Sequence, residues 1–324
     1  MAVPAPMLAV AGRPPDTADW AIEMKWDGVR VLALCKGEAC RLYSRNKREI
    51  TDSYPELAAA LAESACGRAL ILDGEVIAQT SSGAPSFGLL QRRMHVVRPT
   101  AQLIASVPVQ FYGFDVLSVD GEDVTVLPYL TRRAHLDGLD LPGRLVSVPP
   151  YWLEVAADRM LEVAREHHLE GIVSKEIEAA YHPGRRSPTW IKTPIRKTAE
   201  AIVVGWISGT GMMAPTFGSL VLAAHDKAGR LTYIGNVGTG FTMAARRSLR
   251  ARLDELATTV VPFGAPAAGR GHGHSRGGGG GVHWVRPELV GDIEFREFTG
   301  EGLRHPSWRG LRSDKDLAEV TFPG

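Results

Sequence analysis

The 324-residue sequence predicts an α+β N-terminal domain followed by a small all-β domain, and three observations lead there. The first two thirds mixes buried-strand runs with helical spacing, with acidic and basic residues at the ends of the runs. Beyond about Thr198 the texture changes to short strands with a single helical stretch. The length, with 44% hydrophobic residues, supplies cores for two domains of ordinary size. The expected division is residues 1–198 and 199–324.

In chain order, Val29 to Arg45 reads as strand, turn at Lys36-Gly37-Glu38, strand. Ser53 with Glu56 forms a capping box that opens a helix over Tyr54 to Glu63. Ala69 to Ala78 is an apolar run broken by Asp73-Gly74-Glu75, and Val107 to Leu117 is another, ending in Asp115. Trp152 to His168 has helical spacing, and Gly171 to Lys175 reads as a short buried strand. In the second domain, strands are expected over Ala201–Ile207, Ser219–Ala224, Leu231–Val237 and Ile293–Phe298, with a helix over Thr242–Leu256. Several short strands and one helix in about 125 residues fit a small β-barrel such as an OB-fold. Gly264 to Gly281 is too glycine-rich to bury a core and is expected as a flexible loop, which argues against a metal site at His272, His274 and His283.

Composition excludes little else. No apolar run reaches the length of a membrane span, and the apolar N-terminus carries Pro4 and Pro6 without a cationic lead, so the chain is expected in the cytoplasm. Cys35, Cys40 and Cys66 are odd in number without CxxC spacing and are expected as thiols. The net charge is +1, so a nucleic-acid partner would have to be met by clusters. Candidates are Arg45, Lys47 and Arg48; Arg92 and Arg93; Arg185 and Arg186; Arg246, Arg247, Arg250 and Arg252.

Chemistry concentrates in Glu23-Met24-Lys25-Trp26-Asp27-Gly28-Val29-Arg30. In an extended segment Glu23, Lys25 and Asp27 share a face, and Gly28 permits a turn. A lysine placed among cations or in a buried site can supply a neutral amine to attack a phosphoryl or acyl centre. A surface strand of alternating charge is the other reading of this segment by itself.

Those residues match Lys-x-Asp-Gly-x-Arg, motif I of the covalent nucleotidyltransferases, which comprise DNA ligases, RNA ligases and capping enzymes. Six further segments resemble the later motifs in family order: Ser44-Arg45-Asn46; Leu72-Asp73-Gly74-Glu75; Phe111 to Asp115; Glu170 to Lys175; Arg186-Ser187 with Trp190-Ile191-Lys192; and Arg304-His305-Pro306 with Arg312 to Lys315. Gly235 to Phe241 and Arg304 to Arg312 resemble the ligase module of bacterial repair ligases, the stand-alone ligase C type and the ligase domain of ligase D. Chain length favours the stand-alone form. The resemblance implies an adenylation domain with antiparallel sheets and an OB-fold domain.

It also implies roles. Lys25 would attack the ATP α-phosphate, giving a lysyl phosphoramidate and expelling pyrophosphate. Glu75 and Glu170 would ligate Mg²⁺ or Mn²⁺, with Glu75 alternatively bonding the ribose. Phe114 would stack on adenine, a core phenylalanine being the plainer reading, and Glu23 would help read the base edge. Arg30, Arg45 and Arg186 would contact ribose and phosphates, and Lys175 and Lys192 the α-phosphate oxygens. Arg304, Arg312 and Asp314 would close over the outer phosphates during self-adenylation. Pro194 stands where many ligases place a second lysine. The implied substrate is nicked duplex DNA, bound by a monomer in a salt-sensitive manner and in the company of end-joining or other repair proteins at the nucleoid. An RNA ligase or capping enzyme, distinguished by labelling with ATP or GTP, and a non-catalytic single-strand binder are the alternatives.

Overall fold

A computed structural model describes residues 3–15, 17–80, 83–141, 143–263, 281–300 and 302–323. The chain divides into two compact units, Met1–Ile195 and Arg196–Gly324. The Gly-rich segment, with His272 and His274, lies outside the described residues apart from Gly281. Among the described residues no helix is long and apolar enough to cross a membrane.

The first unit is built on two sheets. One orders its strands Leu8–Ala11, Arg186–Pro194, Gly171–Glu176, Trp20–Lys25 and Tyr151–Trp152. The other orders Ala39–Ser44, Val29–Gly37, Gly67–Ala78, Val109–Val119 and Glu122–Asp123, with Val146–Ser147 beside the fourth. Alternation along each strand sorts the side chains. On Val29–Gly37, Val31, Ala33 and Cys35 join a core beneath the helix Pro55–Ser64. Leu32 and Leu34 enter a second cluster instead, with Met7, Ile71, Phe114, Tyr181 and Trp190, drawn from both sheets. The helix Ala157–Glu166 covers the outer face of the first sheet through Met160, Leu161 and Ala164 against Ile22, Met24 and Ile172. Residues on the inner faces therefore point into the space between the sheets.

The second unit is a five-stranded antiparallel sheet ordered Leu231–Val237, Ser219–His225, Lys197–Ile207, Val282–Phe295 and Ser307–Leu311. It curls until the two edges meet, where Trp308 N–H donates to the Thr239 carbonyl at 2.9 Å. Bulges at Val203/Gly205 and Asp292/Ile293 provide the bending. The helix Met243–Glu255, capped by Thr242, lays Leu249 and Leu253 into the barrel core. This is the expected OB-type domain.

Several local expectations fail. Ser53 caps nothing: Pro55 starts the helix, Tyr54 stands at its cap, and Ser53 ends a short 3-10 turn. Asp73-Gly74-Glu75 does not break its run, because the strand continues through it with a bulge. The helix expected from Trp152 begins only at Ala157, since Tyr151–Trp152 pairs with Ile22 and Glu23. Cys35 and Cys40, expected as thiols, form a disulfide because the hairpin makes them direct cross-strand partners. Cys66 remains free. Two clustered arginines are structural: Arg93 is buried and donates to the Val107 and Ser53 carbonyls, and Arg246 donates to those of Phe217 and Gly238.

Candidate active site

Strand register assembles the site. Across the first sheet, Val173 is paired with Glu23 on one side and Lys192 on the other, so these three form a row on one face. The next row in one direction is Lys25, Gly171 and Pro194; in the other it is Ala21, Lys175 and Trp190. Three segments remote in sequence thus contribute Lys25, Lys192 and Lys175 to one surface. Gly171 adopts φ +139°, and a Cβ there would strike the Thr193 carbonyl of the neighbouring strand, so the residue after Glu170 has to be glycine. Gly28 is equally constrained, because a Cβ would strike the Val76 carbonyl and the Glu75 side chain.

The second sheet supplies the facing wall. Arg30 is opposite Glu75, and Leu32 is opposite Asp73. A cavity of about 200 Å³ between the walls is lined by Glu23, Lys25, Arg30, Arg45, Glu75, Phe114, Lys175, Arg186 and Lys192, together with Leu8, Ala9, Met24, Trp26, Val173 and Trp190. Every site residue proposed from the sequence within the first unit lines this cavity except Glu170. That residue reaches its edge through Lys25, whose Nζ lies 2.6 Å from Glu170 Oε1.

Partners differ along the cavity. Arg30 donates from Nε and Nη2 to the two oxygens of the fully buried Asp73, each at 2.6 Å. Burial opposes the Arg30 charge, but Asp73 outweighs it and raises the guanidinium above its usual value. Arg30 also lies over the rings of Phe114 and Trp190. Lys175, expected to hold phosphate oxygens, instead donates to Glu23 Oε1 at 2.8 Å, and burial lowers its pKa. At the other end Arg45 and Arg186 are exposed, with Arg186 donating to the Ala9 carbonyl. The Lys192 ammonium is lowered by burial and then by Lys25 and Arg186. Glu75 is crowded by protein, which pushes its carboxyl up to about 8 against the pull of Lys25 and Arg30, and Glu170 adds to the rise.

Two carboxylates, Glu75 and Glu170, beside Lys25 form a hard-oxygen donor pair, and no cluster of three or more such ligands occurs among the described residues. A Mg²⁺ or Mn²⁺ ion that takes its remaining ligands from phosphate and water fits this set.

Sequence reasoning missed Asp73, Tyr181 and Tyr129. Tyr181 donates to Asp73 Oδ2 at 2.6 Å and accepts from Met7 N–H at 2.8 Å, which ties the N-terminal strand to the wall. Tyr129 donates to Glu23 Oε1 at 2.5 Å. Asp73 sits inside a quoted motif, and its alternation with Glu75 on one strand face was the available signal. The two tyrosines carry no local signal. Arg304, Arg312 and Asp314 belong to the second unit. There Arg304 pairs with Glu297 at 2.9 Å, and Arg312 grips Asp314 through two bonds of 2.9 and 2.8 Å.

Residues 6–193 match the family described as ATP dependent DNA ligase domain, and residues 213–315 match the ATP dependent DNA ligase C terminal region. The chain is 39% identical to the multifunctional non-homologous end joining protein LigD of Mycolicibacterium smegmatis, covering 98% of this chain and 39% of the relative. It is 35% identical to a probable DNA ligase of Streptomyces griseus, over 93% of this chain and 58% of that one. The chain thus spans about two fifths of the LigD relative's length. Among solved structures, the ligase domain from Mycobacterium tuberculosis LigD is 34% identical, with 99% of this chain and 98% of that chain covered and a TM-score of 0.55. A mycobacterial DNA ligase D complexed with ATP and MES matches at the same identity and score, covering 98% of each chain. A Lig E DNA ligase, 20% identical with TM-score 0.58, is a likeness of fold, covering 94% of this chain and 98% of that one.

Proposed function

The chain belongs to the ATP-dependent DNA ligases, and we propose that it seals 5′-phosphate/3′-hydroxyl nicks in duplex DNA through a lysyl-AMP on Lys25, in end-joining repair. The observation that carries this reading is the convergence of Lys25 with Glu170, Glu75 and Lys192 at one end of a single cavity. The Lys25 ammonium gives up a proton, for which Glu170 Oε1 at 2.6 Å is the placed acceptor. The amine then forms a nitrogen–phosphorus bond to the α-phosphorus as the bond to pyrophosphate breaks. Lys192, Arg45 and Arg186 neutralise the phosphate charge that develops there. Phe114 and Trp190 give the base an apolar seat, and Arg30, fixed by Asp73, meets the ribose side. Lys175 acts through Glu23 rather than on phosphate. A divalent ion held by Glu75 and Glu170 would supply further charge neutralisation on the phosphates. The AMP passes to a 5′-phosphate, and attack by the 3′-hydroxyl releases it.

Intact mass measures the first step directly. Incubation with ATP is expected to add one AMP, pyrophosphate to remove it, and Lys25→Ala to abolish the adduct while leaving duplex DNA binding largely intact, since backbone contacts come from other cations. An adduct that persists in Lys25→Ala would overturn the assignment of the nucleophile. Labelling by GTP in place of ATP would overturn the ligase reading.

A further inference from the structure

Two donors meet on one carboxylate oxygen at the inner end of the cavity. The Tyr129 hydroxyl donates to Glu23 Oε1 at 2.5 Å, and Lys175 Nζ donates to the same oxygen at 2.8 Å. All three residues are buried. Lys175 also donates to the Phe114 carbonyl at 3.4 Å, so it braces the strand that carries Phe114. Both donors take Oε1 and leave Oε2 to neither of them, and Glu23 itself lines the cavity. Burial and the adjoining Glu23 charge raise the Tyr129 phenol well above its usual value, so it stays protonated and donates. Tyr129 stands on the helix Tyr129–Gly138, outside every motif quoted above.

We propose that Tyr129 is a specificity-determining positioning residue: with Lys175 it fixes Glu23 so that an acceptor-only oxygen faces the base, favouring a purine with an amine at its 6-position over one with a carbonyl there. This rests on the reading that the cavity holds the adenosine of ATP. An ionised carboxylate only accepts hydrogen bonds. Against an amine it gains a bond; against a carbonyl two acceptors face each other in a buried place, and neither is satisfied. Discrimination of this kind is large where a site is built to bond one group and the competitor leaves its polar atoms unpaired. It also needs a fixed orientation, because the terminal torsion of a glutamate is broad. One donor on Oε1 leaves that torsion soft, and two donors from different elements hold it.

The test measures lysyl-nucleotide formation by the full chain with ATP and with inosine triphosphate, which carries a carbonyl at the 6-position without guanine's extra amine. Tyr129→Phe is expected to raise the apparent KM for ATP and to lower the ATP-to-ITP preference, each by about tenfold. Glu23→Gln supplies an independent arm. Its amide oxygen accepts from Tyr129 and Lys175, which turns the amide nitrogen to the cavity as a donor and shifts preference toward ITP. Adding Tyr129→Phe to Glu23→Gln is expected to erode that shift. If Tyr129→Phe fails to fold, the Glu23→Gln ratio alone decides, and a ratio that does not move toward ITP overturns the proposal. A Tyr129→Phe protein that loses kcat with KM and preference unchanged overturns it too, because a merely structural role would give that result. Wild-type chain that forms no ATP-derived adduct defeats the underlying reading; adducts with unmoved ratios defeat only this inference.

Discussion

Arg30 in the first unit and Arg312 in the second make the same bond, a bidentate grip through Nε and Nη2 on both oxygens of an aspartate. Their surroundings differ. Asp73 is fully buried, and Tyr181 gives it a third donor, whereas Arg312 and Asp314 are 33% and 65% exposed. In low dielectric the first pair cannot separate without stranding a charge, so it acts as a fixed part of the wall. In water the second exchanges protein partners for solvent or phosphate oxygens at small cost. Identical geometry thus gives a scaffold in one place and a releasable cation in the other. Under the proposed mechanism the first unit's residues need to be rigid to aim Lys25, and an exposed pair such as that of the second is the kind that can exchange partners.

The largest expected effect is on the scaffold. Asp73→Ala leaves the Arg30 guanidinium and the Tyr181 hydroxyl without their partner between two sheets. Loss of one member of a buried pair costs about 3–5 kcal/mol, and calorimetry of the first unit's unfolding should record a lowered midpoint. A midpoint equal to that of wild type would break the comparison at its first term. Replacing Arg30 and Asp73 together by apolar residues should cost less than Asp73→Ala alone, because no charge is then left over.

Glu75 sharpens the comparison, since it is a crowded carboxylate whose neighbours Lys25 and Arg30 do not fully offset its burial. Its folded pKa of about 8 lies above the ordinary carboxyl value of 4.5, so the folded state holds a proton that the unfolded chain has lost. Stability from this group is therefore full below about 4.5 and falls as pH rises toward about 8. Glu75→Gln should flatten that fall in a series of unfolding curves. Mg²⁺ added at pH 7 should release protons from the wild type, and fewer from the variant, as read by calorimetry in two buffers of different ionisation enthalpy. An unchanged pH slope in Glu75→Gln would show that the carboxyl is ionised throughout.

Much of this site is legible in the sequence because strand alternation carries it. Glu23 with Lys25 was readable as a one-face pair once extended structure was assumed, whereas Glu75 opposite Arg30 needed the pairing of two strands. The barrel strands and the helix capped by Thr242 follow from local patterns as well. The partners were not readable. Nothing local to Lys175 shows that it donates to Glu23, 152 residues away. Arg93 and Arg246 look like surface cations until backbone carbonyls from other elements surround them. Cys35 and Cys40 needed the hairpin register, beyond its existence, to be recognised as a pair. Each miss concerns a contact set by packing between elements, which local spacing does not encode.

The smallest stability effect and a selective kinetic one should fall together on Arg312. Its grip on Asp314 holds that carboxyl at about 2 and raises the guanidinium, but both groups are open to solvent. Glu200, 3.3 Å from Arg312 and 3.6 Å from Lys315, gives the remaining charges a local partner. Arg312→Ala should therefore leave the unfolding midpoint of the second unit nearly unmoved. If the cation is released to meet the outer phosphates of ATP, the same variant slows formation of the Lys25 adduct by about 100-fold. Sealing of a nick that already carries AMP on its 5′-phosphate involves no such phosphates, so it should proceed as in the wild type. A variant that loses both reactions equally would place Arg312 with the scaffold and remove the distinction between the two bidentate pairs.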